Sequence, residues 1–463
     1  MHNIDTICAI STAQGGAIGC IRISGSEAIS IASKIFTPIN KNKKLEEVKP
    51  YSIVFGKIFN GDEVVDEVLV SIFKAPHSYT GENSVEIACH GSSYIMQEIM
   101  RLLISNGCRL AQPGEYTQRA FLNGKMDLSQ AEAVADLIAS TNASTHRIAM
   151  SQMRGGFSKE LRELREKLIT FTSMVELELD FSEEDVEFAD RNQLMDLCEN
   201  IDQRITKLIN SFRVGNVIKN GIPVAIIGET NAGKSTLLNL LLHEDKAIVS
   251  DIHGTTRDVL EDTININGVT FRFIDTAGIR ETTDVIESIG IERTFQKLSQ
   301  SEIVLLVIDS TEKVEKIKQI INKVQPYCND KQLILVLNKE ELINQSKKED
   351  IASLIHSLDK GTVNEFVFIS AKEQRNTNEL ETLLIKTANL PKVTQNDTIV
   401  TNIRHYDALV KAKEAIDRVK EGITTRISGD FLSQDIREVI HHISDIAGEV
   451  TNDMVLQNIF KNF

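Results

Sequence analysis

Residues 228 to 235 read Gly-Glu-Thr-Asn-Ala-Gly-Lys-Ser, the G-x-x-x-x-G-K-[ST] spacing of a phosphate-binding loop. The loop lies between the apolar run Ile222 to Ile227 and the helix-like run Thr236 to Leu242. That context predicts a strand, a loop whose backbone N–H groups face an anion, and a helix N-terminus behind it. Gly228 and Gly233 let the backbone turn and approach phosphate, Lys234 can reach the β- and γ-phosphates, and Ser235 can place a hydroxyl on Mg²⁺. A nucleoside triphosphate is the expected ligand.

Four further segments follow in the order a GTPase requires. Gly254-Thr255-Thr256-Arg257-Asp258 offers Thr256 as the second hydroxyl ligand of Mg²⁺. Asp275-Thr276-Ala277-Gly278 ends the stretch Val269 to Ile274, which puts Asp275 near the metal and the Gly278 N–H near the γ-phosphate. Asn338-Lys339-Glu340-Glu341 follows the strand Leu333 to Leu337, and Ser370-Ala371-Lys372 follows Phe366 to Ile369; both occupy guanine-reading positions. The expected GTP contacts are Asn231, Ala232, Gly233, Lys234, Ser235 and Thr236, then Ser250, Asp251, Ile252, His253, Gly254, Thr255 and Thr256, and then the three later segments.

Two positions depart from the common pattern. The fourth residue of the guanine segment is Glu341 where an Asp is usual, one methylene longer, so a bidentate contact requires the loop to shift. After Gly278 stands Ile279, where Ras-like enzymes carry a Gln that orients the attacking water, and an isoleucine cannot hydrogen-bond. The polar stretch that follows offers Glu287 as a carboxylate at one water's distance. Some positive charge must offset the charge developing on the γ-phosphoryl oxygens; no Arg is assigned by sequence as a cis finger, Arg257 is the candidate, and Asp258 beside it completes the candidate catalytic set.

Asn231 in the loop, the Gly-Thr-Thr-Arg-Asp segment, Ile279 and Glu287 together resemble the potassium-activated tRNA-modification GTPases of the MnmE (TrmE) family. The resemblance implies a K⁺ ion in place of an arginine finger. Asn231 would ligate it, with Ser250, Ile252 and Thr255 lending backbone oxygens, and Glu287 would act as base through a bridging water. It also implies that the ion is held only when two GTPase domains meet face to face.

The elements that must position these residues are marked by composition and period. The 463 residues allow about three domains, and the GTPase segments use only 216–388. No proline falls between Pro113 and Pro223 or after Pro391, and both blocks carry apolar residues at three- and four-residue steps: Leu161, Leu164, Leu168, Phe171 and Val175, then Val410, Ile416, Val419, Ile436, Val439, Ile440 and Ile443. One helical domain built from 119–215 and 389–463, with the GTPase inserted, is the economical reading. Residues 1–118 instead give short runs at Ile7 to Ile10, Ile18 to Ile23, Ser52 to Ile58, Glu67 to Phe73 and Ser84 to Cys89, with a helix at Ser92 to Ser105. The expected class is multidomain α/β and α: an α+β N-terminal domain, a discontinuous helical domain and a Ras-like domain with a mostly parallel sheet.

Three N-terminal segments resemble the same family: Gly19 to Gly25, Ser78 to Ile87 with Cys89-His90-Gly91, and Pro113 to Lys125. By that resemblance the module is folate-binding and makes the homodimer, and Arg22, Glu86 and Lys125 contact 5-formyltetrahydrofolate. A carboxylate suits the donor–acceptor edge of a pterin, and Arg22 or Lys125 suits a glutamate tail. From the residues alone, Glu86 as a satisfied strand carboxylate and Arg22 as a surface ion pair are the simpler readings. The family works with the FAD enzyme MnmG as a heterotetramer on tRNA, installing a carboxymethylaminomethyl-type group at C5 of the wobble uridine. Its chains carry a Cys-x-Gly-Lys tail a few residues after the counterpart of Ile459 to Phe463, and this sequence stops at Phe463.

The net charge of −15 argues against a general polyanion-binding surface, so tRNA contact is expected at a local basic patch. Arg147, Arg154, Lys159, Arg162, Arg165 and Lys167 are candidates, although Glu160, Glu163 and Glu166 among them favour a solvated helix face. The six cysteines lack C-x-x-C spacing and are expected as reduced, buried small hydrophobes. No apolar run reaches membrane-span length and no export signal opens the chain, so a cytoplasmic protein without a membrane partner is expected. A GTP-dependent switch in ribosome assembly and a folate-dependent one-carbon enzyme with a regulatory GTPase stand as alternatives. The first lacks a folate-like module, and the second would not need tRNA.

Overall fold

The computed structural model describes residues 5–13, 15–40, 42–180, 191–245, 262–274, 298, 300–328, 330–358, 363, 365–389 and 398–448. The described residues fall into two compact units, one within Met1–Ala139, Ala149–Asp202 and Lys411–Phe463, the other within Ser140–Ile148 and Gln203–Val410.

The first unit opens with β1 (Ile7–Ile10), β2 (Ile18–Ser24), α1 (Ala28–Ile35), β3 (Phe36–Pro38), β4 (Ser52–Asn60), β5 (Glu63–Phe73), β6 (Ser84–His90), α2 (Ser93–Ser105) and β7 (Arg109–Leu110). Among the described residues these strands form one seven-stranded sheet in the order β3-β4-β5-β6-β2-β1-β7. All neighbours are antiparallel except β1 and β7. Period-two patterning decides the layers: Ile21, Ile23, Val68, Val70, Ile72, Val85 and Ile87 are buried in one core with Ile31 and Ile35 of α1 and Met96, Ile99 and Leu103 of α2. Arg22 and Glu86 alternate with those residues and stay half-exposed. The expected strands are present, and β5 begins four residues earlier than its apolar run.

Helices α3 (Glu115–Leu122), α4 (Leu128–Ile138), α5 (Ala143–Met153), α6 (Gly156–Asp180) and α7 (Arg191–Asn220) follow. The start of α4 is fixed by a capping box, in which the Asp127 side chain accepts from the Gln130 N–H and the Gln130 side chain accepts from the Asp127 N–H. Later in the chain come α12 (Ile403–Thr425) and α13 (Gly429–Ala447), after the elements of the second unit. The long helix α6 packs along α13. Each buries an apolar stripe: Leu161, Leu164, Leu168 and Val175 from α6, and Leu432, Ile436, Val439 and Ile443 from α13. Two of the candidate basic residues have partners within this unit, Arg165 on α13 and Arg162 at the N-cap of α4. Arg165 Nε donates to Ser444 Oγ at 2.9 Å, and Arg162 lies 3.6 Å from the Asp127 carboxylate.

In the second unit, β8 (Ile222–Ile227), α8 (Lys234–Asp245), β9 (Asp262–Ile266), β10 (Val269–Phe273), β11 (Ile303–Asp309), α9 (Val314–Val324), β12 (Gln332–Asn338), α10 (Gln345–Ser357), β13 (Glu365–Phe368) and α11 (Thr377–Ala388) succeed one another. Their six-stranded sheet runs β13-β12-β11-β8-β10-β9 and is parallel except between β9 and β10. The central strands β8, β11 and β12 are near-continuous apolar runs, as strands covered on both faces must be. Alternate residues feed two cores, one with Leu237, Leu241, Leu380 and Leu384, the other with Ile317, Ile321, Ile351 and Ile355. A helix layer on each face of a parallel sheet is the expected Ras-like arrangement.

All six cysteines are free, and only Cys20 is more than slightly exposed. Among the described residues no helix is long and apolar enough to cross a membrane.

Candidate functional site

The phosphate loop leaves the carboxyl end of β8 and enters α8 at Lys234. Three residues in it take positive φ: Gly228 at 151°, Asn231 at 64° and Gly233 at 97°. The two glycines are obligatory on steric grounds as well. A Cβ on Gly228 would meet the Val307 carbonyl oxygen at 2.2 Å, and one on Gly233 would meet Asn338 Nδ2 at 2.1 Å. The loop is therefore pressed against Val307 of β11 and against Asn338 at the end of β12. Lys234 Nζ donates to the carbonyls of Gly228 at 2.9 Å and Glu229 at 2.7 Å, so its ammonium is held over the loop where phosphate oxygens would lie. Ala232 is buried beneath, Ser235 is half-exposed at the helix start, and Thr236 is exposed.

Asn338, at the end of β12, joins the two sides of this site. Its Nδ2 donates to the Ala232 carbonyl at 2.8 Å, and its Oδ1 accepts from the Ala371 N–H at 3.0 Å. The phosphate loop and the Ser370-Ala371-Lys372 segment are thus tied through one amide. Lys339 has φ 66°, and its ammonium pairs with Asp309 at 2.5 Å. Burial alone would raise the Asp309 carboxyl, but hydrogen bonds from Lys339 and Thr311 and the Lys339 charge outweigh it and hold it below the usual range. Ser370 is fully buried, and its Oγ accepts from the Glu373 N–H. Glu341 Oε2 is buried and accepts no hydrogen bond. A buried carboxylate oxygen without a partner, at the position expected from the sequence to read guanine, fits a hydrogen-bond donor as its complement.

Asp309 was not among the residues expected from the sequence. Its signal is that it closes an apolar run in the sequence, but its partnership with Lys339 depends on the parallel register that aligns Asp309 with Asn338.

Other expected site residues lie outside the described residues. These are Ser250, Asp251, Ile252, His253, Gly254, Thr255, Thr256, Arg257 and Asp258, then Asp275, Thr276, Ala277, Gly278 and Ile279, and Glu287.

On the N-terminal sheet, Arg22 and Glu86 are directly opposite one another across β2 and β6. Arg22 Nε donates to Glu86 Oε1 at 2.9 Å and Nη2 lies 2.8 Å from the same oxygen. The guanidinium also sits 5.6 Å from the ring centres of both Tyr79 and Tyr116, a two-sided cation–π clamp. The Tyr116 hydroxyl donates to the Arg22 carbonyl at 2.7 Å, and burial pushes its phenol up. Among the described residues Lys125 makes no hydrogen bond or ion pair with Arg22 or Glu86; its Nζ donates to the Pro76 carbonyl at 3.0 Å. Both tyrosines belong to segments that stand out in the sequence, yet nothing in their spacing announces the clamp. Beneath it, nearly buried Arg119 bridges Asp5 at 2.7 Å, Glu82 at 3.2 Å and Glu115 at 3.0 Å, fixing the Tyr79–Asn83 stretch against α3.

Comparison with known families matches residues 128–463 to the MnmE helical domain and residues 6–125 to the N-terminus of the GTP-binding protein TrmE. A tRNA modification GTPase MnmE of Bacteroides thetaiotaomicron is 70% identical over 461 residues, covering 100% of this chain and 99% of that one. The protein of the same name from Bacteroides fragilis is also 70% identical over 461 residues, with the same coverage. That from Flavobacterium johnsoniae is 52% identical over 471 residues, again covering 100% and 99%. Two family matches that account for nearly every residue, joined to a phosphate loop and guanine-side segments in working order, show that this chain belongs to the MnmE family of tRNA modification GTPases.

Proposed function

We propose that this chain is a K⁺-activated GTPase that works as a homodimer with the FAD enzyme MnmG, adding a carboxymethylaminomethyl-type group to C5 of the wobble uridine of certain tRNAs with one carbon from a reduced folate. The observation that carries this reading is whole-chain identity at 70% to proteins named tRNA modification GTPase MnmE. It favours that function over a ribosome-assembly switch. In domain terms the proposal is a folate-binding and dimerisation module at 1–118, a helical domain at 119–215 and 389–463, and a GTPase domain at 216–388.

In this reading the loop N–H groups and Lys234 hold the β- and γ-phosphates. The tight approach of Gly233 to Asn338 supports that role, since a side chain there would strike the Asn338 amide and shift the loop. Ser235 and Thr256 would supply the hydroxyl ligands for Mg²⁺, and Asp275 would offer a carboxylate to its shell. Asn231, Ser250, Ile252 and Thr255 offer the oxygens that suit K⁺. When bound, the two cations offset negative charge on the phosphoryl oxygens. Glu287 takes the proton of the attacking water through a second water, the task Ile279 cannot do. The Gly278 N–H and Arg257 with Asp258 complete the γ-phosphate side.

On the N-terminal sheet, 5-formyltetrahydrofolate is held by Arg22, Glu86 and Lys125. Glu86 has a second role as the anion that orients Arg22, supported by their 2.8 Å pairing. The test is complementation. In a bacterial strain lacking its own member of this family, this chain should restore the modified wobble uridine detected by nucleoside mass spectrometry. Restored GTPase activity in the extract without the modified nucleoside would reject the reading.

A further inference from the structure

We infer that Glu340 and Asn376 act as positioning residues that set Glu341 for guanine, so that this chain reads its base through the longer carboxylate arm. The inference rests on the proposal that Glu341 is the guanine acceptor.

Adjacent glutamates here have opposite circumstances. Both oxygens of Glu340 are committed: Oε1 accepts from Asn376 Nδ2 at 3.0 Å and Oε2 from Lys348 Nζ at 2.8 Å. The Glu340 side chain is only 8% exposed, and its backbone N–H donates to the Ile369 carbonyl at 3.0 Å. Glu341 Oε2, one residue on, is buried with no partner. Asn376 in turn donates to the Phe368 carbonyl at 3.0 Å and holds φ 61°. Lys348 lies 5.7 Å from the centre of the Phe368 ring. The first guanine-side loop is therefore bolted to the second through Glu340, while the buried Oε2 of Glu341 at the same turn has no hydrogen-bond partner.

An added methylene lengthens the arm by roughly 1.5 Å. For the carboxylate to meet the ring N–H and 2-amino group of guanine, the Glu341 Cα must sit correspondingly farther back. The short 3₁₀ turn Glu340–Leu342 that carries it has its first residue fixed on three sides by the bonds above. The tie at Glu340 thus sets the standoff of its neighbour.

The measurement is the affinity of the full chain for GDP and for IDP, which lacks the 2-amino group, by calorimetry. Glu341→Ala should lower the GDP-over-IDP preference about 10- to 100-fold, the value of a hydrogen bond to a charged group. Asn376→Ala should lower that preference about fivefold or more, and should lower it no further when made in Glu341→Ala. Glu341→Asp, although it installs the commoner residue, should also lower it, because the loop is set for the longer arm. An unchanged preference in Glu341→Ala would remove Glu341 as guanine acceptor. A lost preference in Glu341→Ala with an intact one in Asn376→Ala would leave that acceptor standing and overturn the positioning role. Should Asn376→Ala not fold, Glu340→Gln weakens the same charge-assisted bonds and is read by the same ratio.

Discussion

Asn338 and Glu341 stand three residues apart and do different work with the same kind of group, a side-chain oxygen. Asn338 spends both ends of its amide inside the protein, whereas Glu341 keeps one buried oxygen uncommitted. In the proposed mechanism the same contrast separates Ile279 from Glu287: an isoleucine stands where Ras-like enzymes carry a water-orienting Gln, and the downstream carboxylate is assigned the role of base. Glu287→Ala is therefore expected to bind GTP almost normally and to lose at least 100-fold in turnover, checked by nucleotide titration beside single-turnover hydrolysis. Persistence of hydrolysis near the parent rate would take Glu287 out of the mechanism. Gly228→Ala should abolish nucleotide binding in a protein that still folds, since its Cβ would strike the Val307 carbonyl and its φ disfavours any side chain. Asp309 gives a pH signature. Its folded pKa is depressed, so its contribution to stability is present above the unfolded value of about 3.9 and disappears as pH falls through the lower folded one. The melting-temperature gap between parent and Asp309→Asn should accordingly narrow as pH drops below about 4.

At the scale of elements, the packing of α6 on α13 brings together two helices on either side of the nucleotide-binding stretch in sequence. Leu164 is buried there, so Leu164→Ala should destabilise by about 2–5 kcal/mol in chemical denaturation, and a change under 1 kcal/mol would place it outside a packed core. Much of this was legible beforehand because burial imposes a period: β8, β11 and β12 are apolar throughout, and α6 and α13 carry three- and four-residue stripes. Strands β3 and β7, with three and two residues, are too short to leave a period and were not legible. Pairings across distance were also hidden. The Arg22–Glu86 ion pair joins residues 64 positions apart through the register of β2 on β6, and the clamp of Tyr79 and Tyr116 needs α3 folded back on that sheet. The pair makes Arg22 less available than an isolated arginine. Arg22→Ala is expected to weaken binding of 5-formyltetrahydrofolate while leaving GTP affinity unchanged, and an unaltered folate isotherm would overturn that assignment.

For the whole molecule, 66 acidic against 51 basic residues argue against broad attraction to RNA, so recognition of tRNA is expected at local contacts. The two family matches cover nearly the entire chain, and the proposed function joins two chemistries: folate handling on the N-terminal sheet and GTP hydrolysis on the parallel sheet. What links them in the proposal is a hydrolysis step that runs only when an oxygen-lined site, begun by Asn231, is closed around a monovalent cation. The most direct measurement is GTP turnover by the purified chain at fixed Mg²⁺ and ionic strength, with K⁺ exchanged for Na⁺. Turnover at least tenfold faster in K⁺, with GTP affinity unchanged, is the predicted result. Equal rates in the two salts would contradict the account.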